Sequence, residues 1–162
     1  MNYRFETLKE TRIIGVAQSF ENGNEMQKGI PQYWEETNHQ GITDDLIKQS
    51  DQILSGVLGV IISKPTKEMD YMIGVTSQKN IKNKQRYEEF KLEKNHYIVI
   101  DAKGPVPKAI KDIMPKIYQE LLPHLNIEVK PDSMFEHYLP GNTQSANYIT
   151  EIWIPIQSNI KM

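Results

Sequence analysis

One pattern in this chain restricts its fold more than any other: it repeats itself. Ile14 and Val16 recur as Ile98 and Ile100, 84 positions later. At the same distance Ile30-Pro31-Gln32-Tyr33-Trp34 falls on Met114-Pro115-Lys116-Ile117-Tyr118, so both segments read apolar, proline, polar, apolar, aromatic. Towards the end of each half the distance becomes 77, and Asp70-Tyr71-Met72-Ile73-Gly74-Val75 falls on Asn147-Tyr148-Ile149-Thr150-Glu151-Ile152. The seven extra residues of the first half lie near Thr43, where a short additional helix is predicted. Two similar units in one chain point to a duplicated module, each copy burying its apolar face with the help of the other.

The elements follow from local pattern. Arg12 to Phe20 reads as a strand closed by the turn Asn22-Gly23-Asn24. Met26, Ile30, Tyr33, Trp34 and Thr37 recur at helical spacing and predict a helix from about Glu25 to Asn38. A proline at the same depth in both repeats allows Pro31 inside it. Thr43-Asp44-Asp45 reads as the cap and acidic first turn of a short helix through Leu46, Ile47 and Ile53. Gly56 to Ile62 and Met69 to Ser77 read as a hairpin, followed by a polar, lysine-rich connector over 79–91 that contains Lys79, Lys82, Lys84 and Arg86. In the second half, His96 to Lys103 is a strand closed by Gly104-Pro105. Ile110, Ile113, Ile117 and Leu121 mark an amphipathic helix over about Pro107 to Leu122, and strands are predicted over Met134 to Leu139 and Asn147 to Gln157. The expectation is a single domain over 1–162, made of repeats at about 6–78 and 92–158. Its class is α/β (α+β): a strand–helix–strand–strand module used twice, with two long helices on one face of an antiparallel sheet and pseudo-twofold symmetry. The groove between the helices is the natural concave site.

Composition narrows the function. Hydrophobic residues make up 38% of the chain, enough for a packed core. The formal charge is -2, which argues against a general nucleic-acid binder, since that class is usually basic. With no cysteine there are no disulfides, thiolate metal sites or thiol nucleophiles, and a reducing, cytoplasmic setting fits. The start, Met1 to Glu6, does not read as a signal peptide, and the longest apolar stretch, Gly56 to Ile62, is too short to span a membrane. His39, His96, His124 and His137 are scattered without metal-ligand spacing, and no nucleophile elbow, Walker loop or dinucleotide fingerprint occurs. No metal or cofactor is expected.

The residue that stands out chemically is Glu151. Strand alternation puts it between Ile149 and Trp153 on one face, mid-strand, and the repeat opposes it with Gly74. A carboxylate buried without a partner is costly, and no nearby Lys or Arg in the sequence must pair with it. A cationic ligand would supply the missing charge, with Trp34, Tyr118 and Trp153 as flat apolar walls. In Phe135-Glu136-His137-Tyr138, alternation puts Glu136 with Tyr138. Tyr138 reads equally as a pocket, core or surface residue.

At this point the chain resembles a known family. Tyr71-Met72-Ile73-Gly74-Val75, the strand Tyr97 to Ala102 with Gly104-Pro105, Phe135-Glu136-His137-Tyr138 and Glu151-Ile152-Trp153-Ile154-Pro155-Ile156 are similar to the effector-binding domains of AraC-type and multidrug-sensing bacterial regulators. These GyrI-like domains include stand-alone integron-associated effector-binding proteins. The resemblance implies an aromatic-lined groove for lipophilic cations with an acid on the final strand, matched here by Glu151, and an aromatic on the first helix, matched by Trp34. One departure from the family's transcription factors is that few residues precede the first expected strand, so the expectation is a sensor or sink that does not read DNA itself. Two alternatives stay open. One is a hydrolase of a reactive small molecule, with a raised-pKa Glu151 acting on water. The other is a modulator that binds a protein partner.

Overall fold

The computed structural model describes residues 1–81 and 84–157. Along the chain lie β1 (Tyr3–Leu8), β2 (Thr11–Phe20), α1 (Gly23–His39), α2 (Ile42–Lys48), β3 (Val57–Ser63), β4 (Met69–Thr76), β5 (Glu88–Leu92), β6 (Asn95–Lys103), α3 (Lys108–Lys116), β7 (Phe135–Tyr138) and β8 (Ile149–Ile156). The strands form one antiparallel sheet in the order β1-β6-β8-β7-β3-β4-β2-β5. Strand–helix–strand–strand therefore occurs twice, and the two sets meet at β3 and β7 in the middle of the sheet. No helix among the described residues is long and apolar enough to cross a membrane.

Register fixes which side chains share a face. Ile100, Ile152, Glu136, Gly59, Ile73 and Val16 stand opposite one another in successive strands, so all six point the same way. Ile100 and Ile152 pack with Ile110 and Ile117 of the second-half helix, and Ile73 and Val16 pack with Met26 and Trp34 of α1. Both long helices thus cover one face, as the repeat predicts. On the other face Val99, Trp153, Phe135, Val60 and Met72 form a core to which no helix contributes. Leu8 and Leu92, from the two edge strands, belong to the same core.

Asn22 caps α1, its side chain accepting from the Glu25 amide at 2.9 Å. Pro31 sits inside α1 and Pro115 inside α3. Lacking an amide proton, Pro115 cannot bond the carbonyl of Lys111. The helix then continues through a wider π-helical turn, Ile117–Leu121, and ends in a last α-turn, Leu122–His124.

Several expectations need correction. β1 was not foreseen, and the connector over 79–91 is partly β5. Both are edge strands that place Arg4, Glu6, Glu88, Glu89 and Lys91 beside apolar neighbours, a pattern that keeps edges from pairing with other chains but hides them in sequence. β1 bonds to β6 and β5 to β2, so the strand preceding each repeat completes the sheet of the other. Lys82 and the end of the second repeat at 158 lie outside the described residues. Thr43 does not cap α2. The helix starts two residues earlier, at Ile42 after Gly41 in the left-handed region (φ 73°), where glycine is at ease, and Ile53 lies beyond its end.

Candidate functional site

The register also locates the pseudo-dyad. Gly15 faces Gly74, and the position equivalent to Gly15 in the second half, Val99, faces Trp153. Gly74 is therefore equivalent to Trp153, 79 positions on, and Glu151 is equivalent to Met72. Leu58 faces Gly74 and Phe135 faces Trp153, so β3 and β7 keep the distance of 77. Gly59 and Glu136 are then equivalent to each other, and they are also directly paired across the middle of the sheet. The dyad passes through that pair, with a carboxylate on one side and a bare backbone on the other.

Glu136 points to the helix-covered face and is 8% exposed. The hydroxyls of Tyr71 and Tyr138 both donate to its Oε1 at 2.8 Å, and Trp34 Nε1 donates to the Tyr71 oxygen at 2.8 Å. No ion pair reaches Glu136 among the described residues. Burial pushes its pKa up, partly opposed by the two tyrosine bonds. Burial, reinforced by Glu136, holds Tyr71 and Tyr138 well above the ordinary tyrosine range, so both remain donors. Gly59 makes room for this cluster: a Cβ there would lie 2.0 Å from the Tyr71 hydroxyl and 2.9 Å from Glu136 Oε1.

Beside the cluster is a cavity of about 690 Å³. Ile30, Pro31 and Trp34 of α1 form one wall, and Tyr138, Tyr148 and Val106 contribute to the other. Among the described residues, none that lines it is Asp, Glu, Lys, Arg or His. Trp34 and Tyr138 meet edge to face, ring centres 4.9 Å apart. Both line the cavity, and both lead to Glu136, Tyr138 directly and Trp34 through Tyr71. The single acid thus stands behind an aromatic wall.

Of the six residues predicted from sequence, the structure brings Trp34 and Tyr138 together here. Glu151, Trp153 and Gly74 lie on the opposite face, because they alternate with the helix-covered Ile152 and Ile73. Trp153 is core, stacked on Phe135 at 5.1 Å. Gly74 is a packing glycine, since a Cβ there would lie 2.5 Å from the Ile14 carbonyl oxygen. Tyr118 sits on the π-helical turn, 43% exposed and outside the cavity lining, with its hydroxyl toward Met134 Sδ at 3.7 Å. The sequence reading missed Glu136 and Tyr71 as partners. The signal was available, because Gly59 and Glu136 lie at the same distance of 77 that aligned the hairpins.

Glu151 is not unpaired. Arg4 reaches its Oε2 at 2.9 Å from β1, the strand that was not foreseen, and His137 Nδ1 and Trp153 Nε1 meet Oε1 at 2.8 and 3.1 Å. Burial pushes this carboxyl up, but the bonds from His137, Trp153 and Arg4 and the Arg4 charge outweigh it and hold the pKa at about 2. The pKa is lowered rather than raised, so Glu151 is not the raised-pKa group that the hydrolase alternative invoked. Its folded pKa is below the unfolded one, so its stabilisation is complete above the ordinary carboxylate range and is lost as pH falls toward 2. Denaturant unfolding between pH 5 and 2 should show a loss attributable to this group on the order of 2–3 kcal/mol. In Glu151→Gln that part of the slope should vanish. An unchanged slope would contradict the assignment.

Comparison with known proteins agrees with this architecture. A family described as integron-associated effector binding protein matches residues 4–156. A Staphylococcus aureus MU50 protein described as a "putative bacterial transcription regulation protein" is 33% identical, with TM-score 0.88 over 98% of this chain and 99% of that one. The structure of SAV2435 bound to tetraphenylphosphonium matches at 32% identity and TM-score 0.90, over 98% of this chain and 95% of that one. An integron cassette protein from the mobile metagenome of Vibrio cholerae matches at 18% identity and TM-score 0.66, over 96% and 95% of the two chains. No protein of curated function matches the sequence.

Proposed function

The chain belongs to the integron-associated effector-binding protein family, with a GyrI-like fold, and we propose that it binds bulky aromatic cations of single charge in the cavity beside Glu136. The observation that carries this reading is a buried carboxylate without a cationic partner among the described residues, set behind Trp34 and Tyr138 at a cavity whose described lining has no charge of its own. An uncompensated acid in low dielectric attracts a cation strongly, and the flat faces of Trp34 and Tyr138 add cation–π attraction of about 0.5–2 kcal/mol each. Shape, flat rings and one charge discriminate little between ligands, so specificity is broad. The structure of SAV2435 with tetraphenylphosphonium supports the ligand class. The chain acts as a sensor or sink in the cytoplasm, binds without turnover and does not itself read DNA; the net charge of -2 and the absence of cysteine fit that role.

The test is titration of the purified chain with tetraphenylphosphonium and with neutral triphenylphosphine oxide, followed by tryptophan fluorescence and melting temperature. Saturable binding of the cation, with a rise in melting temperature that grows with its concentration, is expected, and the neutral compound should bind at least tenfold more weakly. Equal binding of the two would refute the charge pairing. No binding of either would refute the ligand class.

A further inference from the structure

The two oxygens of Glu136 are not equivalent. Oε1 already accepts from two tyrosine hydroxyls. Oε2 accepts no hydrogen bond among the described residues, and it is not one of the side-chain oxygens sealed from solvent without a partner. Glu151 shows the contrast: His137 and Trp153 meet its Oε1 and Arg4 its Oε2, so both oxygens are bonded and its charge is paired within the protein. A carboxylate oxygen has two lone pairs, so Oε2 of Glu136 keeps acceptor capacity that no described side chain uses, and the cavity residues Trp34 and Tyr138 stand between it and the cavity. Tyr71 and Tyr138 cannot turn to fill it without leaving Oε1.

Resting on the binding function proposed above, we infer that Glu136 Oε2 selects for an N–H on the ligand's charged centre, so that the preferred ligands are protonated amines or amidines on a flat apolar body rather than quaternary cations. A quaternary ammonium or phosphonium ion has no such proton. It meets Glu136 by charge alone and leaves Oε2 unbonded. A protonated amine meets the same charge and adds one charge-assisted hydrogen bond, the stronger kind.

Two probes isolate that bond. The 9-anthrylmethyl cations bearing trimethylammonium or protonated ethylmethylamine have the same charge and the same number of carbons, and only the second has an N–H. Neutral 9-anthracenemethanol is the reference. At neutral pH the N–H cation should bind about tenfold tighter than the quaternary one. In Glu136→Gln the ratio should fall to near one. Tyr138→Phe removes a hydroxyl from Oε1 and leaves Oε2 as it was, so there the preference should persist although both affinities drop.

Equal or tighter binding of the quaternary cation, or a preference that survives in Glu136→Gln, would overturn the inference while leaving cation binding in place. If neither cation binds better than 9-anthracenemethanol, the binding function itself fails, and the inference with it.

Discussion

Glu136→Gln should weaken the binding of tetraphenylphosphonium by about thirtyfold or more, equivalent to roughly 2 kcal/mol, and leave neutral aromatic ligands almost unchanged. The substitution keeps the shape and an oxygen to accept from Tyr71 and Tyr138. What it removes is a charge that no cation among the described residues pairs with. For the same reason the unliganded variant should melt higher than the wild type, because an amide avoids the cost of burying a lone carboxylate. Weaker cation binding together with higher stability is an unusual combination, and general damage to the fold would not produce it. A pH series adds a check. Burial raises the Glu136 pKa, so cation affinity in the wild type should fall with acid from above the ordinary carboxylate range. In the folded protein this group gains stability on protonation and loses it as pH rises through its raised pKa. Both trends should be absent in Glu136→Gln, and calorimetric titration with melting curves would detect them. Equal loss of cationic and neutral ligands would remove Glu136 from its role.

Gly59→Ala should be as severe by a different route. The new Cβ would stand 2.0 Å from the Tyr71 hydroxyl and 2.7 Å from its Cζ. Tyr71 is fully buried and cannot swing away. Overpacking of this kind costs about 1–3 kcal/mol, which for a chain of this size lowers the melting temperature by about 3–10 °C. Because Tyr71 also holds Trp34 and Glu136, cation affinity should drop at least tenfold as well. The double variant Gly59→Ala/Tyr71→Phe removes the worst overlap and should recover part of the lost stability, a coupling that independent sites would not show. Additive losses in the double variant would mean that Gly59 is needed for some other reason.

The sequence carried most of this fold because the repeat constrained it. Ile14 with Ile98 and Trp34 with Tyr118 set the first strand and helix of each half, and the amphipathic stripe from Ile110 to Leu121 left little choice for the second helix. Edge strands were harder. β1 and β5 are short and mix charged with apolar residues, and nothing in their own residues shows that each pairs with the opposite repeat. That exchange hid Arg4, and without Arg4 the acid at Glu151 looked unpaired. The site was half legible. Trp34 and Tyr138 were named, but the hairpin alignment was two residues off in its second strand, which set Glu151 against Gly74. In a strand such a slip does not change the face, but it does change the partner across the dyad. A short sequence match, Tyr71 on Tyr148, outweighed the register, which only backbone pairing could show. The principle of an acid facing a glycine on the dyad was sound, and the residues that satisfy it are Glu136 and Gly59.

The central claim is that the charge of the bound molecule is met at Glu136, on the helix-covered face. The most direct measurement is a crystal structure of the chain soaked or grown with tetraphenylphosphonium. The account predicts the phosphorus centre in the cavity, with Glu136 as its nearest carboxylate and aryl rings against Trp34 and Tyr138 within about 6 Å of their ring centres. A cation seated on the other face beside Glu151 and Trp153, or held in the cavity away from Glu136, would contradict it.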